Sequence, residues 1–190
     1  DRFTAMLASF GILLLCLVFG VIRLNSIPIE NYALKVGLAS IRAPLNLTGE
    51  TAVALMQEYA KMIDKLSKEG AQYIVLPEKF LRLTQNNYSQ MIEILQQAAA
   101  NNSVTIIAGL ERRGEKNYNS AIIIGPSGKL LGIYDKQHLV PGLESHLQKG
   151  KHKFIVSHHI KWGVAICKDM DFTQLGLDYG KHHIQILFVP

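Results

Sequence analysis

Trp162-Gly163-Val164-Ala165-Ile166-Cys167-Lys168-Asp169 is the stretch on which the reading of this chain turns. Residues 162–166 form a short continuous apolar run, the pattern of a buried strand. The run stops at a cysteine, and residues 172–179 have the spacing of a short helix. Working outward, residues 104–110, 120–124 and 130–134 read as strands, with Gly125-Pro126-Ser127-Gly128 as a turn in which Ser127 is a turn residue rather than a nucleophile. Thr48 opens an amphipathic helix that runs to about Glu69, with Gly70 just past its end. A second helix is expected over 88–100, and further strands over 34–40, 73–76, 153–156 and 184–189. Residues 136–152 are irregular. Strands alternating with helices predict an α/β layered domain.

Three polar residues fall where strands end. Glu78 follows the apolar 73–76 and Pro77, Lys136 follows 130–135, and Cys167 follows 162–166. Ligand sites of layered α/β proteins gather at such ends. Taken singly, each also reads plainly: a surface carboxylate, a solvated lysine and a small buried thiol. Together they make a chemical set. An ammonium near a thiol is expected to lower its pKa. A carboxylate can take the thiol proton and return it to a leaving amine. The ammonium and the N–H of Lys168, at a strand-to-helix turn, can stabilise an oxyanion. This is acyl-transfer chemistry without histidine.

At these residues the chain resembles the nitrilase, or carbon–nitrogen hydrolase, superfamily. Leu76-Pro77-Glu78, Tyr134-Asp135-Lys136 with His138-Leu139-Val140-Pro141-Gly142-Leu143-Glu144, and Gly163-Val164-Ala165-Ile166-Cys167-Lys168-Asp169 are similar to its three signature blocks, in the same order. Asn119-Ser120-Ala121 resembles the strand between the first two. The resemblance covers about residues 34–190. It implies an α-β-β-α sandwich with Glu78 as base, Lys136 as oxyanion stabiliser and Cys167 as nucleophile. It implies a supporting role for Glu144, which orients the lysine. Lys168 stands where the family often has an aromatic residue, as a second cation beside the thiol or a side chain in solvent. Members of the family normally continue beyond the equivalent of Pro190, so the sandwich is expected to be truncated at its C-terminus.

Residues 3–22 form a twenty-residue run without a charge, FTAMLASFGILLLCLVFGVI. As a helix it spans roughly 30 Å, the thickness of a bilayer core. A cleaved signal or a buried core helix would pass the same inspection, but a transmembrane helix over 1–25 fits its length and its charged ends best. Residues 26–33 read as a linker and 34–190 as the catalytic domain. Arg2 and Arg23 flank both ends and give no orientation. The expected location is the cell membrane.

Composition sets the outer limits. A chain of 190 residues, 48% hydrophobic and 18% charged, is not disordered. A formal charge of +5 permits contact with an anionic membrane surface but is too thin for a nucleic-acid partner. Cys16 and Cys167 are expected to be free. The pairs His158-His159 and His182-His183 point to opposite faces if extended, so no metal site or cofactor is expected. The reading is a membrane-attached amidase-like hydrolase of small amides that works through a cysteine thioester. The short connection from Lys136 to Cys167 favours it over transfer of a phospholipid acyl chain to a lipoprotein amine, as in apolipoprotein N-acyltransferases. A membrane-tethered binding module without turnover is the third reading. A homodimer is expected from the resemblance alone.

Overall fold

The computed structural model describes residues 2–26, 34–44, 47–157 and 160–190. The chain divides into two compact units, Asp1–Ala33 and Leu34–Pro190. The first holds one helix, α1 (Arg2–Asn25), none of whose residues is buried and whose most apolar window has a mean hydropathy of 2.7. The expected linker falls almost wholly outside the described residues, as does the His158-His159 pair.

The second unit is built from β1 (Val36–Leu38), α2 (Gly49–Lys68), β2 (Tyr73–Leu83), α3 (Tyr88–Asn102), β3 (Thr105–Arg112), β4 (Tyr118–Ile124), β5 (Leu130–Asp135), β6 (Phe154–Ser157), β7 (Lys161–Val164), a 3₁₀ turn (Cys167–Asp171), α4 (Thr173–Lys181) and β8 (Ile186–Phe188). One sheet runs β1-β2-β3-β4-β5 and the other β6-β7-β8. The first three strands are parallel, since α2 and α3 provide the crossovers. β3, β4 and β5 are antiparallel neighbours, joined by short turns such as Gly128 N–H to the Gly125 carbonyl at 2.9 Å.

Side-chain alternation sorts the core into layers. Ile74 and Leu76 of β2, Ile106, Ala108 and Leu110 of β3, and Ile122 and Ile124 of β4 face Leu55, Met56, Tyr59 and Ile63 of α2 and Met91, Ile92 and Leu95 of α3. The intervening Val75, Ile107, Ala121 and Ile123 face Trp162, Val164 and Phe188 of the second sheet and Ile166 just after β7. Ala165, Leu175 and Tyr179 then pack α4 on the outside. The layers are helix, sheet, sheet, helix, which is the expected α-β-β-α sandwich. Each fully buried Leu, Ile or Phe contributes roughly 1.5–3 kcal/mol.

Two expected strand ends need correction. Strand β2 does not stop at Pro77-Glu78 but continues to Leu83, with a register shift against β3 between Leu76 and Leu81. Proline cannot donate to the ladder and is confined to edges and bulges; here the irregularity absorbs it, and Lys79 takes a left-handed φ of 47°. Strand β7 also ends at Val164 rather than at residue 166, although the Ala165 N–H still reaches the Phe188 carbonyl at 3.1 Å.

Candidate active site

The bulge in β2 aims Glu78 into the space between the sheets. Gly109, opposite on β3, makes this approach possible: a Cβ there would collide with the Pro77 carbonyl and lie 2.7 Å from the Glu78 Cα. Asn119 continues the face of Ala121 and Ile123, and Lys136 the face of Tyr134, so both project toward the second sheet. The Lys136 N–H bonds the Asn119 carbonyl at 2.8 Å and its own carbonyl accepts from Gly150 at 2.8 Å. The first bond holds the end of β5 against β4, and the second ties it to the loop before β6.

The side chains converge. The Lys136 ammonium is 1% exposed and donates to Oε1 of Glu78 at 2.7 Å and to Oε2 of Glu144 at 3.0 Å. Glu144, also 1% exposed, accepts further from Lys79 at 2.9 Å, Asn119 at 2.7 Å and the Val140 N–H at 2.8 Å. Asn119 Nδ2 gives its other hydrogen to Oε1 of Glu78 at 2.6 Å. Burial opposes ionisation of Glu144, but the Val140 N–H, Lys79, Lys136 and Asn119 outweigh it and hold the carboxyl at about 2. Burial would likewise lower the lysine, yet Glu78 and Glu144 raise it, so Lys136 is a firm cation.

Cys167 opens the 3₁₀ turn after β7 in a left-handed conformation, φ 41°, which lifts it out of line with the strand. Its thiol faces the Glu78 carboxylate. Burial and the charge and hydrogen bonding of Glu78 push the thiol pKa up; Lys136 and the Lys168 N–H pull the other way without prevailing. The ammonium lowers the thiol pKa as expected, but desolvation and the Glu78 carboxylate against the sulfur outweigh it, because the ammonium is engaged by two carboxylates. The Lys168 N–H is directed at the sulfur, and its side chain pairs with Asp171 at 2.9 Å.

Glu78, Lys136, Glu144 and Cys167 are therefore brought to one place. Three neighbours had no role assigned from the sequence, although Asn119 and Asp169 lie in the blocks quoted above. Lys79 adds a second cation on Glu144, and Asn119 is a neutral donor to both acids. Asp169, fully buried, ties the cysteine turn to the lysine loop: it accepts from the Ile166 N–H at 3.1 Å, the Tyr134 hydroxyl at 2.7 Å, the Gln137 and His138 N–H groups at 3.1 and 2.8 Å, and lies 2.9 Å from His138 Nδ1. The His138 ring stacks on Phe172 with centroids 3.7 Å apart. Burial and then Asp169 raise the pKa of Tyr134, which stays a donor. The alternation of Asn119 with Ala121 and Ile123 was the available signal for Asn119; nothing local marked Lys79.

Comparison with known proteins gives the family and the fold. The Carbon-nitrogen hydrolase family matches residues 38–190. Omega-amidase NIT2-B of Xenopus laevis is 31% identical, with 71% of this chain and 56% of that protein covered. Deaminated glutathione amidase of Synechocystis is 30% identical, covering 71% and 59%. A solved structure of a cysteine-to-alanine mutant of the Nesterenkonia AN1 amidase, of the nitrilase superfamily, superposes with a TM-score of 0.73 at 17% identity, over 83% of this chain and 64% of that one. The chain thus spans somewhat over half the length of the curated relatives it matches. Fold, signature blocks and family match coincide on the same residues, and the chain belongs to the carbon–nitrogen hydrolase family.

Proposed function

We propose that this chain carries the reacting groups of a membrane-attached, amidase-like carbon–nitrogen hydrolase. The observation that supports this most is the meeting of Glu78, Lys136, Glu144 and Cys167 at one end of the inter-sheet core. Because the thiol is held protonated, attack requires a base. Glu78 takes the thiol proton as Sγ bonds to the amide carbon, and the carbonyl π electrons move to oxygen. The Lys136 ammonium has three N–H groups and spends two on Glu78 and Glu144, leaving one for the oxyanion. The Lys168 N–H is the second donor. Glu78 returns the proton to nitrogen, the C–N bond breaks and the amine leaves. Water then attacks the thioester with Glu78 again as base, and the carboxylic acid and free thiol are released. Glu144 keeps Lys136 in place and charged throughout.

Short amides are the substrates to test first. The matched relatives include amidases, and solved Nesterenkonia amidase structures include a complex with butyramide and an acrylamide adduct at the active-site cysteine. The α1 helix supports membrane attachment, through a 24-residue span with a mean hydropathy of 2.7 in its most apolar window. The test uses the complete protein in detergent, assayed for ammonia release from butyramide and, separately, for acyl transfer from phospholipid to a lipopeptide amine. Ammonia release that disappears in Glu78→Gln, Lys136→Met and Cys167→Ala is the expected result. Acyl transfer to the amine with no ammonia from any amide overturns the hydrolase reading in favour of an N-acyltransferase.

A further inference from the structure

We infer that Asn119 is a positioning residue of this site: its side-chain amide clamps Oε1 of Glu78 and Oε1 of Glu144 together, and so presents the second oxygen of Glu78 to the Cys167 thiol. The inference rests on the reading of Glu78 as the base.

Asn119 sits on β4, opposite Glu111 of β3, and is fully buried. Its amide nitrogen has two hydrogens, and each is spent on a carboxylate, at 2.6 Å to Glu78 and 2.7 Å to Glu144. The other half of the same amide is sacrificed. Asn119 Oδ1 is buried and has no hydrogen-bond partner, the one such side-chain atom among the described residues. An orphaned buried acceptor costs free energy. Rotating the amide by half a turn would not relieve it, because the oxygen would then oppose two carboxylates. The unpaired oxygen is therefore the mark of an orientation imposed by the two acids.

The consequence falls on Glu78. Asn119 Nδ2 and Lys136 Nζ both converge on its Oε1. With one oxygen fixed from two directions, the carboxylate plane cannot turn, and the remaining oxygen is left for the thiol. The groups facing Glu78 are Asn119 from β4, Lys136 from the end of β5 and Cys167 from the turn after β7. Those facing Glu144 are Lys79, Lys136, Asn119 and the Val140 N–H. Asn119 is the one group that holds both acids without carrying charge, so it fixes their spacing without shifting the balance of two lysines against two carboxylates. Lys136 alone would leave Glu78 hinged about a single contact.

The test separates alignment of the base from integrity of the site. The full chain in detergent is compared with Asn119→Ala and with Asn119→Leu, which keeps the approximate size of the side chain and the charge balance but has no N–H to give. Acylation of Cys167 by p-nitrophenyl butyrate at neutral pH needs the base. Alkylation of Cys167 by iodoacetamide at a pH high enough to form the thiolate unaided does not, and it is read on the Cys167 peptide by mass spectrometry. Loss of aim of this kind costs about 10²-fold. The expected result is a fall of about that size at neutral pH in both variants, with high-pH alkylation within about twofold of wild type, since only the proton-transfer step is affected. Wild-type neutral rates in either variant, or equal losses at both pH values, overturn the inference. Glu78→Gln is run alongside: if it retains the neutral rate, the reading of Glu78 as base fails, and the failure is distinguishable from that of Asn119 alone. A measurement on the unmutated chain needs no variant to fold. The two Asn119 amide protons should exchange slowly with solvent and resonate apart, and fast exchange with a single averaged signal contradicts the clamp.

Discussion

Replacing Glu144 by Gln removes the most heavily coordinated carboxylate of the site, and the structure gives the size of the effect. The side chain accepts from Lys79, Asn119, Lys136 and the Val140 N–H, and these hold its pKa at about 2, against an ordinary 4.5. At 1.36 kcal/mol per unit this is about 3 kcal/mol of stability. The group is 1% exposed, so solvent screening does not reduce it. Its folded-state pKa is depressed; the contribution is therefore complete above the unfolded value near 4.5 and disappears as pH falls toward 2. The glutamine keeps the shape but sets an amide N–H₂ among donors and leaves Lys136 with one carboxylate, a change of the kind that costs about 3–5 kcal/mol. For a chain of this length a loss of about 3 kcal/mol lowers the melting temperature by about 6–12 °C. Thermal and urea unfolding of the full chain and of Glu144→Gln, in the same detergent at pH 7, 5 and 3, measure the difference. The gap should be largest at pH 7 and narrow steadily below pH 4.5. A variant as stable as wild type at pH 7, or a gap that does not change with pH, refutes the reasoning.

Four further outcomes follow from the same contacts. In the pH dependence of Cys167 alkylation, Glu78→Gln should shift the thiol midpoint down, because Glu78 raises it, and Lys136→Met should shift it up, because Lys136 opposes that rise; the reverse signs would contradict the assigned neighbours. Gly109→Ala places a methyl 2.7 Å from the Glu78 Cα, so it should cost about 1–3 kcal/mol in urea unfolding and reduce Cys167 acylation. Asp169→Ala leaves the Tyr134 hydroxyl and three main-chain N–H groups unpaired and should cost at least about 3 kcal/mol, read as a lower urea midpoint. Flotation on liposomes should carry the full chain and not the chain lacking residues 1–33, the first compact unit; equal flotation of the two would remove α1 as the anchor.

The architecture was legible because its apolar residues keep strict periods. The helix expected over 48–69 occurs as Gly49–Lys68, with Ala52, Leu55, Met56, Tyr59 and Ile63 on one buried face. The strands expected over 104–110 and 120–124 occur as Thr105–Arg112 and Tyr118–Ile124. Where periodicity was interrupted, the reading failed. Pro77 looked like the end of a strand, because a proline in a central strand lacks its ladder donor. The register shift that accommodates it is a property of two strands together, with Gly109 on the neighbour, and no local stretch contains it.

The site divides in the same way. Glu78, Lys136 and Cys167 were marked by their places after apolar runs, and Glu144 by resemblance. The sign of the thiol shift was not legible, since it depends first on desolvation of the sulfur and then on whether Glu78 or Lys136 acts on it more strongly. That is decided by tertiary geometry: Lys136 is drawn back between Glu78 and Glu144 at 2.7 and 3.0 Å. The Asp169 strut joins residues about thirty positions apart through four contacts, and only the folded chain brings them within reach.

The central claim is that Cys167 attacks with Glu78 as its base. Rapid quenching of the complete protein with butyramide, followed by intact and peptide mass spectrometry, tests it most directly. The account predicts a butyryl thioester on the peptide containing Cys167, absent in Cys167→Ala, unaffected by Cys16→Ala and formed far more slowly in Glu78→Gln. Ammonia release that persists in Cys167→Ala, or a butyryl adduct on any other residue, would contradict it.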